Sequence, residues 1–270
     1  MTRTAWRPAA IQACAAGDPV GVEKVLKAYP DPSTGEPPDA LKIFLVRWLR
    51  PPDWHLLRGL ADSSDPAARQ VAALLTPSAW LVRPAAAEAR LRRLARDEAV
   101  DVRDWSALAL AELVTAYSDG TDVVRRWALH ANPYVRRAAA SGVGWASASV
   151  DSATARHLLD AVKPLMADDA DEVRYVLGPV AIGDGMLAYH PDLTLGWLDP
   201  LSLAHDPQVR WAVSRALGGR AARVHQDAAW RVLSRLLEDP VRMVRQAARS
   251  TAAGLNTALY PPTGRHHSPR

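Results

Sequence analysis

Residues 206–213 read "DPQVRWAV" and residues 132–140 read "NPYVRRAAA". Each phrase opens on Asp or Asn followed by Pro. A short polar side chain there can accept from the first free N–H groups of a helix, and proline fits the first helical position because its missing donor would be unused anyway. Apolar and small residues then recur at helical spacing, as in Val209, Ala212, Val213 and Ala216. The same phrase returns as "SDPAARQVA" at 64–72, "DVRDWSALA" at 101–109, "DEVRYVLG" at 171–178 and "RMVRQAA" at 242–248. Its arginine falls at Arg69, Arg103, Arg136, Arg174, Arg210 and Arg245, with intervals of 34, 33, 38, 36 and 35 residues. A near-constant period with small length changes is the mark of stacked units joined by variable turns.

Ahead of each phrase lies another amphipathic run, such as "RHLLDAVKPLM" at 156–166 or "AAWRVLSRLLED" at 228–239. Each unit therefore reads as a helical hairpin, and no segment sustains the period-two alternation of a strand. One hairpin cannot bury both of its faces, so its neighbours complete the core. The expected fold is all-α, a HEAT-like α-α superhelix: a right-handed solenoid of at least five helical hairpins. Residues 1–60 fit the repeat less well. The Pro- and Gly-rich "AYPDPSTGEPPDAL" at 28–41 reads as a loop inside an atypical N-terminal helical cap. The array is expected over 61–257 and a disordered tail over 258–270, where "YPPTGRHHSPR" has no periodicity.

The composition narrows the function classes. The chain has 270 residues, 49% of them apolar and 23% charged, which suits a globular protein. A single cysteine, Cys14, excludes a disulfide framework and a cysteine metal site. No apolar run approaches the ~20 residues of a membrane span, and the N-terminus has no continuous apolar core of a signal peptide. The expectation is a cytoplasmic, monomeric protein that needs no metal or other cofactor. The net charge of +4 is unevenly spread. Residues 205–270 carry eleven arginines and four acids, a net +7, which leaves −3 for residues 1–204. A basic end suits an anionic partner. A compositional bias toward arginine and alanine gives the same pattern, since only four of the 33 basic residues are lysine.

The periodic arginines have a structural reading and a binding one. In "DPQVR", Asp206 and Arg210 lie four apart on one helix face, so an arginine can reach the acid of its own or the next unit and build a ladder. Arg137, which follows Arg136, and Arg242, Arg245 and Arg249, which share one helical stripe, are the candidate contacts for a phosphate backbone. Ten tryptophans stand against one phenylalanine, Phe44. Trp48 and Trp230 lie in amphipathic runs and read as core. Trp105, Trp127, Trp145 and Trp211 sit in or beside the phrases, where an indole next to arginine can pack or can stack on a base. After the doubled arginine, "AAASGVG" at 138–144 is a helix surface almost without side chains. Each interior glycine costs ~1 kcal/mol relative to alanine. Close approach of the next repeat's helix, or of a nucleic-acid backbone, would offset that cost.

The stretch "RRWALHANPYVRRAAASG" at 125–142, followed by "MADDADEVRYVLGPVAIGDGMLAYHPDLTLGWL" at 166–198, resembles the bacterial DNA alkylation repair proteins, HEAT-like DNA glycosylases. The doubled arginine and "HPDL", in that order, carry most of the likeness, which spans about 100 of 270 residues. It implies a concave basic surface that grips duplex DNA, and cleavage through a cationic sugar stabilised by a carboxylate and aromatic faces. The chain departs from the pattern at the acid. One branch places a glutamate where this chain has Ser141, and another places an aspartate where it has Ala109; Pro179 stands near the position of a further tryptophan. The nearest carboxylates are Asp104 and Glu112. The resemblance thus implies a protein that binds nucleic acid, with catalysis weak or lost. Its alternatives are an active glycosylase for alkylated bases and a scaffold for another protein.

Overall fold

A computed structural model describes residues 5–256. It is all-α, with no strand among the described residues. The chain divides into two compact units, Met1–Val123 and Val124–Arg270. The boundary falls inside a repeat, and the expected tail at 258–270 lies outside the described residues.

The first unit begins with α1 (Arg7–Ala16), α2 (Pro19–Ala28) and α3 (Asp39–Trp48). Two hairpins follow, α4 (Trp54–Ala61) with α5 (Pro66–Leu75), and α6 (Pro84–Leu94) with α7 (Val100–Ala116). The phrase helices α5 and α7 pack on each other, and α4 and α6 flank them. Leu57, Leu60, Leu75, Leu91 and Leu110 fill the space between the two layers and are fully buried. α3 adds a layer by packing across α5.

α8 (Gly120–Ala128) carries the unit boundary. The second unit continues with α9 (Pro133–Ala146), α10 (Ser152–Val162) and α11 (Asp171–Val176). α11 runs on through a π-helical stretch, Leu177–Met186, into the short α12 (Leu187–Tyr189). Then come α13 (Pro191–Leu201), α14 (Pro207–Ala216), α15 (Arg220–Val224), α16 (Gln226–Leu237) and α17 (Arg242–Asn256). The phrase helices stack in chain order: α9 on α11 and the π stretch, the π stretch on α14, and α14 on α17. The described residues thus contain six hairpins, each ending in a phrase helix, as the period predicts.

The small-residue face of α9 meets protein. Ala138, Ala139, Ala140, Ser141 and Gly142 are buried. A Cβ built on Gly144 would stand 2.8 Å from the Ala181 Cα, and one on Gly185 would stand 2.9 Å from the Gly144 Cα. The π stretch therefore lies against α9 at backbone contact, which only glycine permits on both sides. On its other flank a Cβ on Gly183 would meet the Ala216 carbonyl oxygen at 2.6 Å. Pro179, third in the stretch, has no N–H and crowds the preceding turn, and the wider π turn accommodates it.

The turns alternate between two kinds. Asp65, Asn132 and Asp206 cap α5, α9 and α14, their side chains accepting from the N–H of Ala67, Tyr134 and Gln208 at 3.0, 2.9 and 2.8 Å. In the intervening repeats the acid sits six residues before the phrase arginine instead. There Asp97, Asp168 and Asp239 accept from the N–H of Ala99, Ala170 and Val241 at 3.0, 2.9 and 2.8 Å. Each of these acids receives the arginine of the repeat before it. Arg69 Nε and Nη2 donate to Asp97 at 2.8 and 2.8 Å, Arg136 to Asp168 at 2.5 and 3.0 Å, and Arg210 to Asp239 at 2.6 and 3.1 Å. Nη1 reaches back to the turn the arginine itself follows: to the carbonyls of His130 and Ala131 from Arg136, and of Ala204 and His205 from Arg210. The ladder therefore has a period of two repeats.

Candidate docking face of the second unit

The residue after each phrase arginine occupies an equivalent place on its helix. In the second unit these residues are Arg137, Tyr175, Trp211 and Gln246 on α9, α11, α14 and α17. Tyr175 and Gln246 are exposed, and Arg137 and Trp211 are half-buried. Because the four helices stack in order, the four side chains form a row with one member per repeat. Met243 lies exposed one turn before Gln246, and Trp145 lies exposed near the end of α9. Arg242 and Arg249 are exposed on α17, which carries no acid. Asp171 and Glu172 at the start of α11 are the acids near the row.

In the first unit the equivalent face of α5 is covered. α3 inserts Lys42, which is almost fully buried. Its ammonium donates to Gln70 Oε1 at 2.7 Å, pairs with Asp39 at 2.8 Å and lies 4.6 Å from the Trp105 ring centroid. Gln70 is the residue after Arg69, so an N-terminal helix occupies here the place that the second unit leaves to solvent. Nothing in the sequence of α3 announced this, because a lysine flanked by apolar residues reads as a surface cation.

The residues singled out from the sequence divide accordingly. Arg136 is a ladder residue, and its guanidinium is held more firmly protonated by the hydrogen bond to Asp168. Arg245 turns away from Arg242 and Arg249 and donates Nη1 to the Asp239 and Pro240 carbonyls at 2.6 and 2.8 Å, so the stripe on α17 presents two guanidinium groups, not three. Trp127 is fully buried core, and Trp105 lies under Lys42. Trp48, expected in the core, is 57% exposed at the last turn of α3, where it stacks on Phe44 with centroids 5.5 Å apart. Arg137, Arg242, Arg249, Trp145 and Trp211 remain on the phrase helices of the second unit.

Asp104 and Glu112 both lie on α7 in the first unit. Glu112 receives both Arg50 Nη groups, at 2.6 and 2.7 Å, and Arg50 also donates to the Leu74 carbonyl at 2.6 Å. A carboxylate so engaged joins loop to helix. Asp104 is half-buried and partnered.

Beside the row stands an arginine that the phrase assigns to the ladder. The residue six before Arg210 is Ala204, so Arg174, between the rungs of Arg136 and Arg210, meets no forward acid. With no acid to meet, the Arg174 guanidinium lies over the Trp211 ring, 4.3 Å from its centroid. Its closest acid is Asp171, at 3.6 Å, and its Nε is buried without a hydrogen-bond partner.

A cleft of about 530 Å³ lies beside the π stretch, lined by Asp184, Ala188, Arg220 and His225 among others. Asp184 there already accepts from the Arg220 N–H at 2.9 Å. Among the described residues no cluster of His, Cys, Asp and Glu could hold a metal ion, and no helix is long and apolar enough to cross a membrane.

No protein-family model matches the chain, and no curated protein matches it. Neither comparison supports the resemblance to the DNA alkylation repair proteins. Among solved structures the chain is similar to designed helical-repeat proteins. A designed armadillo repeat protein in complex with the peptide (KR)4 is 14% identical, with 92% of this chain and 99% of that one covered and a TM-score of 0.34. An engineered protein from a structural genomics consortium is 16% identical, with 92% and 97% covered and a TM-score of 0.33. A second designed armadillo repeat protein is 17% identical, with 76% and 100% covered and a TM-score of 0.31.

Proposed function

We propose that the chain is a helical-repeat docking scaffold whose second unit holds an extended segment of another protein along the row Arg137, Tyr175, Trp211 and Gln246. The observation that carries this reading is the row itself: one side chain per repeat, at the same place on four stacked helices, with aromatic, amide and cationic members. Packed helices lie about 8–10 Å apart. An extended chain advances about 3.3 Å per residue, so roughly three residues pass each repeat and a segment of about twelve spans the four.

The same positions argue against a face built mainly for phosphate. Duplex binding draws on several unengaged cations that neutralise phosphates together. Arg136, Arg210 and Arg245 are spent on the ladder and turn carbonyls. Tyr175, Gln246, Met243 and Glu172 offer side-chain contacts of the kind a polypeptide uses.

The test is selection of a displayed library of random 12-residue peptides on the full chain, followed by titration of the selected peptides. Binding that falls at least tenfold in Tyr175→Ser and Met243→Ser supports the docking row. Binding indifferent to both substitutions refutes it. A duplex DNA arm at two salt concentrations tests the other partner class. Salt-dependent duplex binding lost in Arg242→Ala with Arg249→Ala, with no peptide selected, replaces the protein reading with nucleic acid.

A further inference from the structure

Arg174 differs from the other phrase arginines of the second unit in what its guanidinium meets. In the ladder, Asp168 and Asp239 stand six residues before Arg174 and Arg245 and receive Arg136 and Arg210. The residue at that place before Arg210 is Ala204, so Arg174 falls at one of the alternate positions where no forward acid stands. It also makes none of the backward bonds to turn carbonyls that Arg136, Arg210 and Arg245 make. It stacks instead on Trp211, a member of the docking row. Its guanidinium thus stands beside the docking row, 23% exposed, where Arg136, Arg210 and Arg245 are held at their own turns.

We infer that the stacked Arg174–Trp211 pair is the specificity-determining anchor of the docking face, and that it takes a carboxylate side chain, Asp or Glu, of the bound segment. The inference rests on the docking reading above and adds the chemistry of the partner. A guanidinium held over an indole keeps its outer Nη donors for a partner, and a planar carboxylate can accept two hydrogen bonds from them. The stack fixes the fork before the partner arrives, so less side-chain freedom is lost on binding. The side chain is 23% exposed, and its one acid neighbour, Asp171, is 3.6 Å away and itself 71% exposed, a weak competitor. Arg242 and Arg249, further along the same layer of helices, add charge complementary to an acidic segment.

The molecule supplies its own test. Ala204→Asp places an acid at the rung position before Arg210, so Arg174 should turn to it and leave Trp211. The substitution changes no residue of the row, yet it should weaken the peptides selected above by roughly 10- to 100-fold, the span of a charge-assisted pair. Its melting temperature should equal or exceed that of the wild type, because the buried Nε gains a partner. Arg174→Gln should cause the same loss of binding, and it keeps the test open if Ala204→Asp does not fold. Replacing the single acid of a selected peptide by its amide should abolish the difference between wild type and both variants.

Peptides that lose affinity in Tyr175→Ser but carry no required acid, and that bind Arg174→Gln and Ala204→Asp as tightly as wild type, overturn the anchor while leaving the docking row standing. Peptides indifferent to Tyr175→Ser remove the row and the anchor together. Duplex DNA weakened by Ala204→Asp as strongly as the peptides would make the anion a phosphate and overturn the assignment to carboxylate.

Discussion

Removing the acid of one complete rung measures what the ladder contributes. Asp239 is 6% exposed and carries three bonds: two from Arg210, at 2.6 and 3.1 Å, and one from the Val241 N–H at 2.8 Å. Arg210, with 12% of its side chain exposed, has its remaining donors on the Ala204 and His205 carbonyls. Asp239→Ala strips the anion and leaves a largely buried guanidinium half satisfied, a change that costs about 3–5 kcal/mol. Asp239→Asn keeps an acceptor for one arginine bond and for the backbone N–H but loses the charge, so about 2 kcal/mol is expected. For a unit of this size each kcal/mol lowers the melting temperature by about 2–4 °C, which places Asn about 4–8 °C below wild type. The control is Asp199→Asn. Asp199 pairs with Arg235 at 3.1 Å, but the two side chains are 53% and 39% exposed, so solvent screening limits the loss to about 0–1 kcal/mol. Urea titration or thermal melting followed by helical circular dichroism reads all three. The effect has a defined pH signature. The Arg210 hydrogen bond, with the Val241 N–H behind it, holds the Asp239 carboxyl below its ordinary range. Its contribution is therefore complete above the unfolded value near ~4 and is lost as pH falls through the lower folded value. Wild type and Asp239→Asn should converge in acid and separate above about pH 5. Equal stability of Asp239→Ala and wild type at neutral pH, or a cost for Asp199→Asn as large as that for Asp239→Asn, would refute the ladder as a source of stability.

The glycines of the second unit give a paired prediction. Gly144→Ala should destabilise by about 1–3 kcal/mol despite the gain in helix propensity, because its Cβ meets the Ala181 Cα at 2.8 Å. Gly196→Ala, in α13 with nothing within 4 Å of its Cβ, should stabilise by about 0.5–1 kcal/mol, and denaturant midpoints would check both. Burial pushes the Cys14 thiol up to about 11, so alkylation by iodoacetamide at pH 8 should run about 100-fold slower than for an unhindered thiol, a ratio that mass spectrometry resolves.

The period of the phrase made the hairpins legible because capping, proline placement and apolar spacing all report the same local helix. The alternation of rungs was harder to see, because it is carried by a residue outside the phrase. Ser63, Asp97, His130, Asp168, Ala204 and Asp239 stand six before successive phrase arginines, and only every second one is an acid. A register aligned on the arginine and read six residues upstream contains the signal; one aligned on the phrase alone does not. The close contact of α9 with the π stretch was half legible. "AAASGVG" demanded something near, but only the position of Gly185 and Gly183 across from Gly144 and Ala216 says that it is a neighbouring helix. The π turn accommodates Pro179 inside a helix that is packed closely at Gly183 and Gly185, and the helical period alone does not encode it. The same limit governs the candidate site. Sequence alone assigns Arg174 to the ladder by its place in the phrase, and the assignment fails at one position, Ala204, thirty residues away. Arg245 fails in the opposite sense: its exposed stripe is plain in the sequence, yet its guanidinium turns inward to the carbonyls of its own turn. A phrase arginine that meets no acid from a next repeat thus has two resting places: Arg245 turns to the carbonyls of its own turn, and Arg174 lies over Trp211. The proposed anchor is the second of these.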